Sequence, residues 1–306
     1  MKFKNVIKFL VFICLIGVIY FYHNDISNYI FENFVINKNV KIKSPNNYYK
    51  NYDYAYVQLT DNFSPKNKQD LINIFYTILN NGWSSFSFYC DSKYEECYND
   101  LKYLIYEEDT LSYINDMVNP YNSYENIFFE PSNFGKFTIS VAKLYNDNEI
   151  NYINNEIDKI TNSIITDDMT TEEKIKVFHD YIINLVQYDK EYDVNDKNSV
   201  SNKANGALLN KKAVCSGYSD LMAIFLDRLG INNYKIISKE HVWNLVYING
   251  KWLHLDLTWD DPTTSNGKPI LIYDFFLITT EELENISKTL KDNQHVYNKN
   301  VYLEAN

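Results

Sequence analysis

An apolar run from Phe9 to Tyr22 opens the chain, with Lys2, Lys4 and Lys8 before it and His23-Asn24-Asp25 after it. Counted from Phe3, it approaches the ~20 residues that a bilayer span needs. Residues 24–50 are polar and read as a stalk or linker. Helical spacing returns with Leu71, Ile72, Phe75, Ile78 and Leu79, after a start at Ser64-Pro65 and before a stop at Asn81-Gly82. Phe86 and Phe88 alternate with serines over 84–90, which predicts a strand. Leu101, Leu104, Ile105, Leu111, Ile114 and Val118 predict one or two helices over 94–117. Residues 127–130 and 137–145 read as a hairpin turning at Ser132-Asn133-Phe134-Gly135, with Phe137, Ile139 and Val141 alternating. Isoleucines at 150, 153, 157, 160 and 164 predict a helix over 147–165. Thr170-Thr171-Glu172-Glu173 is a capping pattern that starts another, through Ile175, Phe178, Ile182 and Leu185. Residues 188–201 are an acidic, polar loop, and nothing in the chain repeats.

The pattern is most informative from 206 to 262. Leu221, Met222, Phe225, Leu226 and Leu229 recur at helical spacing, and Gly230 ends the run. Cys215 therefore falls at a helix N-terminus. Unpaired N–H groups and the helix dipole favour an anion there, and so a nucleophilic thiolate. The same N–H groups suit the oxyanion of acyl transfer. Residues 241–248 and 251–258 read as two strands joined by Asn249-Gly250, a two-residue hairpin signal. That turn pairs 248 with 251, 246 with 253 and 243 with 256. His241 and Asp256 then become diagonal neighbours on one face, close enough to bond. Trp243, Tyr247, Trp252, His254 and Thr258 share that face. Val242, Val246, Ile248, Leu253, Leu255 and Leu257 form the other, which suits a core. Cys215, His241 and Asp256 together supply a nucleophile, a base and an orienting carboxylate.

Composition narrows the class. Lys plus Arg is 29 against 40 Asp plus Glu, a formal charge of −11, which argues against nucleic acid as a partner. Four cysteines, at 14, 90, 97 and 215, are too scattered for a disulfide scaffold or a four-Cys zinc site. Cys90 and Cys97 fit either a disulfide or two buried thiols. His179, His254 and His295 lie far apart in sequence, and neither a metal nor a cofactor is expected. Asp260-Asp261-Pro262 reads as fixing the turn after the second strand. Trp243 and Trp252 read equally as groove walls or as packing. Ile19-Tyr20-Phe21-Tyr22 offers no small residue for a cut, so a retained signal anchor is expected over a cleaved signal, with secretion after cleavage as the alternative. Lysines ahead of the span place the rest of the chain outside the cytoplasm.

These residues resemble a family. Lys212-Ala-Val-Cys-Ser-Gly-Tyr218, His241-Val-Trp-Asn244 and Gly250-Lys-Trp-Leu-His-Leu-Asp-Leu-Thr-Trp-Asp-Asp-Pro262 are similar to the bacterial transglutaminase-like superfamily. Weaker similarity extends to His179-Asp180-Tyr181 and to Tyr273-Asp-Phe-Phe-Leu277. The chain departs from it at Lys203-Ala204-Asn205, where relatives often have Ser-Ala-Tyr. The resemblance implies an α+β, papain-like core in which a Cys-bearing helix packs on an antiparallel sheet. It implies a triad of Cys215, His241 and Asp256, acting on a peptide or protein substrate without metal or organic cofactor. The expected domains are 1–23, a transmembrane anchor; 24–50, a stalk; 51–146, an α+β domain of open role; and 147–306, the transglutaminase-like domain. Acyl transfer to an amine, hydrolysis by a cysteine peptidase or amidase, and a binding module without turnover stand as readings. The oligomeric state is left open.

Overall fold

A computed structural model describes residues 2–30 and 57–302, apart from 92, 133–134, 197–198 and 263–269. The stalk expected over 24–50 lies outside these from residue 31 on, as does the centre of the turn expected at 132–135. Helix α1 (Lys2–Ile30) carries the opening apolar run, with non-helical dihedrals at Tyr22. Its stretch Lys4–His23 is long and apolar enough to cross a membrane, with mean hydropathy 2.2 and no residue buried. Isoleucine, phenylalanine and leucine side chains are exposed along this helix.

The remaining described residues form two compact units. One comprises 57–110 and 125–142, and the other 111–124 and 143–302. The units interleave in sequence. In the first unit, α2 (Lys68–Asn80) is capped by Asn67, whose side chain accepts the N–H of Asp70. The helix thus begins later than Ser64-Pro65. Strand β1 (Ser85–Tyr89) is followed by α3 (Cys97–Tyr106), while α4 (Thr110–Asp116) belongs to the second unit from Leu111 on. Strands β2 (Tyr124–Pro131) and β3 (Lys136–Lys143) complete a three-stranded sheet in the order β1-β3-β2. Leu71, Ile74, Ile78, Phe88, Leu101 and Ile139 are fully buried. A disulfide joins Cys90 to Cys97, their Cα atoms 6.1 Å apart, and ties the end of β1 to the start of α3.

The second unit begins its main run with α5 (Asp147–Ile164) and α6 (Thr171–Leu185), each opened by a complete capping box, Asn146 with Glu149 and Thr170 with Glu173. Short strands β4 (Gln187–Tyr188) and β5 (Lys212–Ala213) pair in parallel around α7 (Ala204–Leu209). Helix α8 (Cys215–Arg228) then leads into an antiparallel sheet in the order β6-β7-β8-β9. Its strands are β6 (Asn233–Ile237), β7 (Val242–Ile248), β8 (Lys251–Leu255) and β9 (Phe276–Ile278), and α9 (Thr280–Leu290) follows. Val246, Ile248, Leu253 and Leu255 face a core shared with α5–α8, where Phe178 and Phe225 stack at 3.6 Å. The chain is α+β.

The other face of the sheet is also buried. Trp243 and Leu245 are closed off, and only Tyr247 on β7 is exposed. Trp243 packs against Tyr297 and His295, from the segment after α9. A two-residue hairpin determines which residues share a face, and later chain decides whether that face sees water.

Helix α8 is also held by charge. Lys235 Nζ on β6 lies 2.6 Å from Asp220 Oδ1 on α8 and 4.0 Å from Asp116 Oδ1. Tyr145 donates to Asp220 Oδ2 at 2.7 Å, and the Ala204 N–H donates to the same phenol at 2.8 Å. Burial alone would lower the Lys235 ammonium, but Asp220 and Asp116 outweigh it and raise it. Burial pushes Asp116 up to about 7 against the pull of Lys235 and Tyr302. Removing one partner leaves an uncompensated buried charge. Lys235→Met is therefore expected to cost roughly 3 kcal/mol of unfolding free energy in urea, and Lys235→Met with Asp220→Leu less than the single change. A single variant as stable as the parent would refute this role.

Candidate active site

Cys215 is the first residue of α8, which follows Val214 directly and has no side-chain cap. Cys215 is half-buried. Gly217 permits this placement. A Cβ there would lie 2.5 Å from the Ser201 carbonyl oxygen and 3.1 Å from that of Lys203. The 201–203 loop can pass this close to the first turn only over a glycine.

The hairpin sets the other two groups. Asn249 and Gly250 both have positive φ, 53° and 83°, as a type I′ turn requires. The pairs Ile248 with Lys251, Val246 with Leu253 and Asn244 with Leu255 follow in the expected register. The ladder stops at Leu255, not 258, because Asp256 turns the chain. Its Oδ1 accepts the N–H groups of Thr258 at 2.9 Å and Trp259 at 3.2 Å. Its Oδ2 lies 2.6 Å from His241 Nε2. His241 precedes β7, and Ser238 Oγ accepts its N–H. With Nε2 taken by Asp256, Nδ1 is the ring's remaining nitrogen, and Cys215 lies near enough to help raise the imidazole. The structure thus brings Cys215, His241 and Asp256 together.

Electrostatics favour a charged pair. Burial would lower the His241 imidazole, but the charge and hydrogen bond of Asp256, with a further contribution from Cys215, raise it to about 10. Burial would raise Asp256, yet His241 and His295 outweigh it and hold the carboxyl well below the usual range. Trp243 stacks on the His241 ring at 5.6 Å and 14°, which fixes the ring plane.

Other histidines take distinct places. His254 is buried; Trp243 Nε1 donates to its Nδ1 at 3.0 Å, and its Nε2 lies 3.1 Å from Thr280 Oγ1. Burial, with His295 nearby, lowers it to about 3, so it is a neutral prop for Trp243. His179 lies between Asp180 and Asp260 at 2.9 and 3.1 Å. Asp260 also accepts the Phe275 N–H, and Tyr218 donates to Asp261 at 2.7 Å, so this pair holds the turn after β8. Trp243 is core; Trp252 is half-buried and packs on Tyr234.

Three contributors escaped the sequence. His295 Nε2 lies 3.0 Å from the same Asp256 Oδ2. It comes 39 residues after Asp256, and no spacing rule links the two. Tyr188 and Tyr192 stand where the charge of Cys215 acts on their phenols, both raised first by burial. The pairing of Tyr188 with Ala213, two residues before the thiol, puts the first of them there. Ligand atoms of His241, Asp256 and His295 lie within 4.8 Å of one another, the spacing of a possible metal site. The 2.6 and 3.0 Å separations are also hydrogen-bond lengths.

Residues 158–257 match the transglutaminase-like superfamily core. This stretch of the chain thus carries a transglutaminase-like core. This match runs from the last turns of α5 to the turn after β8, and so covers all three of Cys215, His241 and Asp256. Among solved structures, the chain is similar to a TGase crystal structure at 18% identity and a TM-score of 0.34, over 44% of each chain. It is also similar to a Cytophaga hutchinsonii protein provisionally named a cysteine protease, at 15% identity and a TM-score of 0.29. That match covers 48% of this chain and 65% of the other. In both cases less than two thirds of the neighbour is spanned. No curated protein matches the chain.

The pH dependence of stability follows from the pair. A raised imidazole contributes stability that is full below its ordinary value of 6.5 and is lost as pH rises through about 10. A depressed carboxyl contributes above its ordinary 3.8 and loses that contribution as pH falls. The melting temperature should therefore fall between neutral pH and about 10 more steeply in the parent than in His241→Gln. Parallel thermal-melt profiles would exclude the ion pair.

Proposed function

We propose that the protein is a membrane-anchored thiol acyltransferase acting on peptide or protein amides, with Cys215 as nucleophile, His241 as acid and base, and Asp256 as orienter. The contact of Cys215 with an imidazole whose other nitrogen is bonded to a buried carboxylate carries this reading. The thiolate attacks the amide carbonyl, and backbone N–H groups at the start of α8 receive the developing oxyanion. The His241 imidazolium gives its proton to the leaving amine as the C–N bond breaks, leaving a thioester on Cys215. An acceptor amine then attacks the thioester, loses its proton to His241 and expels the thiolate. Water in place of the amine would make the same acyl-enzyme a hydrolase. Transfer is favoured where neighbouring side chains keep water from the thioester, and the half-buried Tyr188 and Tyr192 beside Cys215 serve that end.

The Lys4–His23 helix anchors the chain, with its lysine-bearing end in the cytoplasm and the two units outside. The Cys90–Cys97 disulfide supports that side of the membrane, since such bonds persist in oxidising compartments.

Cys215 in the full chain should react with iodoacetamide faster than glutathione does, at neutral and mildly acidic pH. Cys215→Ala should lower amine incorporation into glutaminyl peptides by more than ~10³-fold. Labelling no faster than glutathione, with no loss in the variant, would remove the enzyme reading. Release of free acid without incorporation would redirect it to hydrolysis. For the anchor, the mature protein in the membrane fraction should retain the apolar helix when its N-terminus is read by mass spectrometry. A mature chain starting after residue 22 would end that proposal.

A further inference from the structure

Asp256 serves two histidines. Its Oδ2 lies 2.6 Å from His241 Nε2 and 3.0 Å from His295 Nε2, and its Oδ1 is filled by two backbone N–H groups. On the far side of His295, Nδ1 lies 2.5 Å from Asp292 Oδ2. Asp292 also accepts Ser287 Oγ at 3.1 Å and the Gln294 N–H at 2.7 Å. Burial would raise the Asp292 carboxyl, but His295 and the Gln294 N–H outweigh it and hold it low. Both ring nitrogens of His295 thus face ionised carboxylates, which accept hydrogen bonds and cannot donate them. The doubly protonated form of the ring meets both contacts with a hydrogen. Trp243, Trp259 and Phe275 surround it with ring centroids each 5.0 Å away, and it is 5% exposed.

In that form the ring brings a second positive charge to the oxygen that holds His241. A buried carboxylate with no other charged partner would bind the His241 imidazolium tightly, and a tightly held proton is a poor general acid. Sharing Oδ2 with a second cation weakens that hold without removing the bond that orients the ring. We propose that His295, itself held by Asp292, is a positioning residue for Cys215, His241 and Asp256. It fixes the Asp256 carboxylate and shares its charge, so that His241 can both hold and release a proton. The catalytic consequence rests on the acyl-transfer reading above; the geometry does not. The charged and titratable groups facing His295 are Asp256, Asp292 and His241, with His254 beyond Trp243. Cys215 acts on this group through His241, and Lys299 through His254.

The test compares the full chain with His295→Gln and Asp292→Asn. Glutamine keeps a donor toward Asp256 but loses the charge. Asparagine removes the carboxylate that requires the second ring hydrogen. Nitrogen-15 spectra of labelled histidine should show both ring nitrogens of His295 protonated at neutral pH. The His241 ring should then titrate about one pH unit higher in either variant, a tenfold change in proton affinity. Alkylation of Cys215 by iodoacetate, an anion drawn by the His241 imidazolium, should keep its rate to correspondingly higher pH. A purely structural anchor would alter melting temperature and leave both titrations in place. A bare ring nitrogen on His295, or an unmoved His241 titration in whichever variant folds, overturns the proposal. If Cys215 proves inert in the parent while the ring titrations shift as expected, acyl transfer fails and the positioning of His241 stands.

Discussion

The hydrogen bond between His241 and Asp256 is the constraint on which the site depends, and most of the second unit's local structure serves it. The type I′ turn at Asn249-Gly250 sets the register that brings the two residues to one face. The end of β8 at Leu255 frees Asp256 to turn, so that one carboxylate oxygen caps the Thr258 and Trp259 N–H groups while the other faces the imidazole. An ionised pair this deeply buried is costly to desolvate. It persists because every lone-pair direction of the carboxylate is met by a donor, and the ring is clamped by Trp243.

Cys215 reaches this pair through a separate set of supports. Asp220 on α8 is held by Lys235 and Tyr145, Asn244 on β7 donates to the Ser219 carbonyl at 2.9 Å, and Tyr218 donates to Asp261. These bonds run from one short stretch of the helix to β6, to β7 and to the turn after β8. The helix that carries the thiol is therefore bonded at successive residues to the elements that carry the imidazole and the carboxylate. Polar contacts of this kind specify one arrangement where apolar packing alone tolerates several. A catalytic group needs that, because small displacements of the reacting atoms cost rate.

How much of this was legible depended on the range of the interaction. Helices at 147–165 and from Thr171 were readable because capping boxes and isoleucine spacing are local. So was the hairpin, since Asn-Gly dictates its register within a few residues. Strand β6 has too short a pattern to announce itself, and α9 was passed over although Thr279 and Glu282 form a complete capping box. The assignment of 111–124 to the second unit rests on contacts made far along the chain, such as Tyr302 with Asp116 at 3.2 Å. Cys90 and Cys97 were compatible with two states, and only the meeting of a strand end with a helix start decided for the disulfide.

By itself, then, the sequence determined the thiol at a helix start and the pairing of an imidazole with a carboxylate across a hairpin. Both follow from backbone geometry over a few residues, which side-chain pattern and turn chemistry encode directly. The tertiary structure decided what surrounds them. It closed the outer face of the sheet with the segment after α9, set Tyr188 and Tyr192 beside Cys215, and brought His295 to the far side of Asp256. Those placements depend on how separate elements pack to fill space and satisfy buried charge, a requirement of the whole fold that no local stretch of sequence carries.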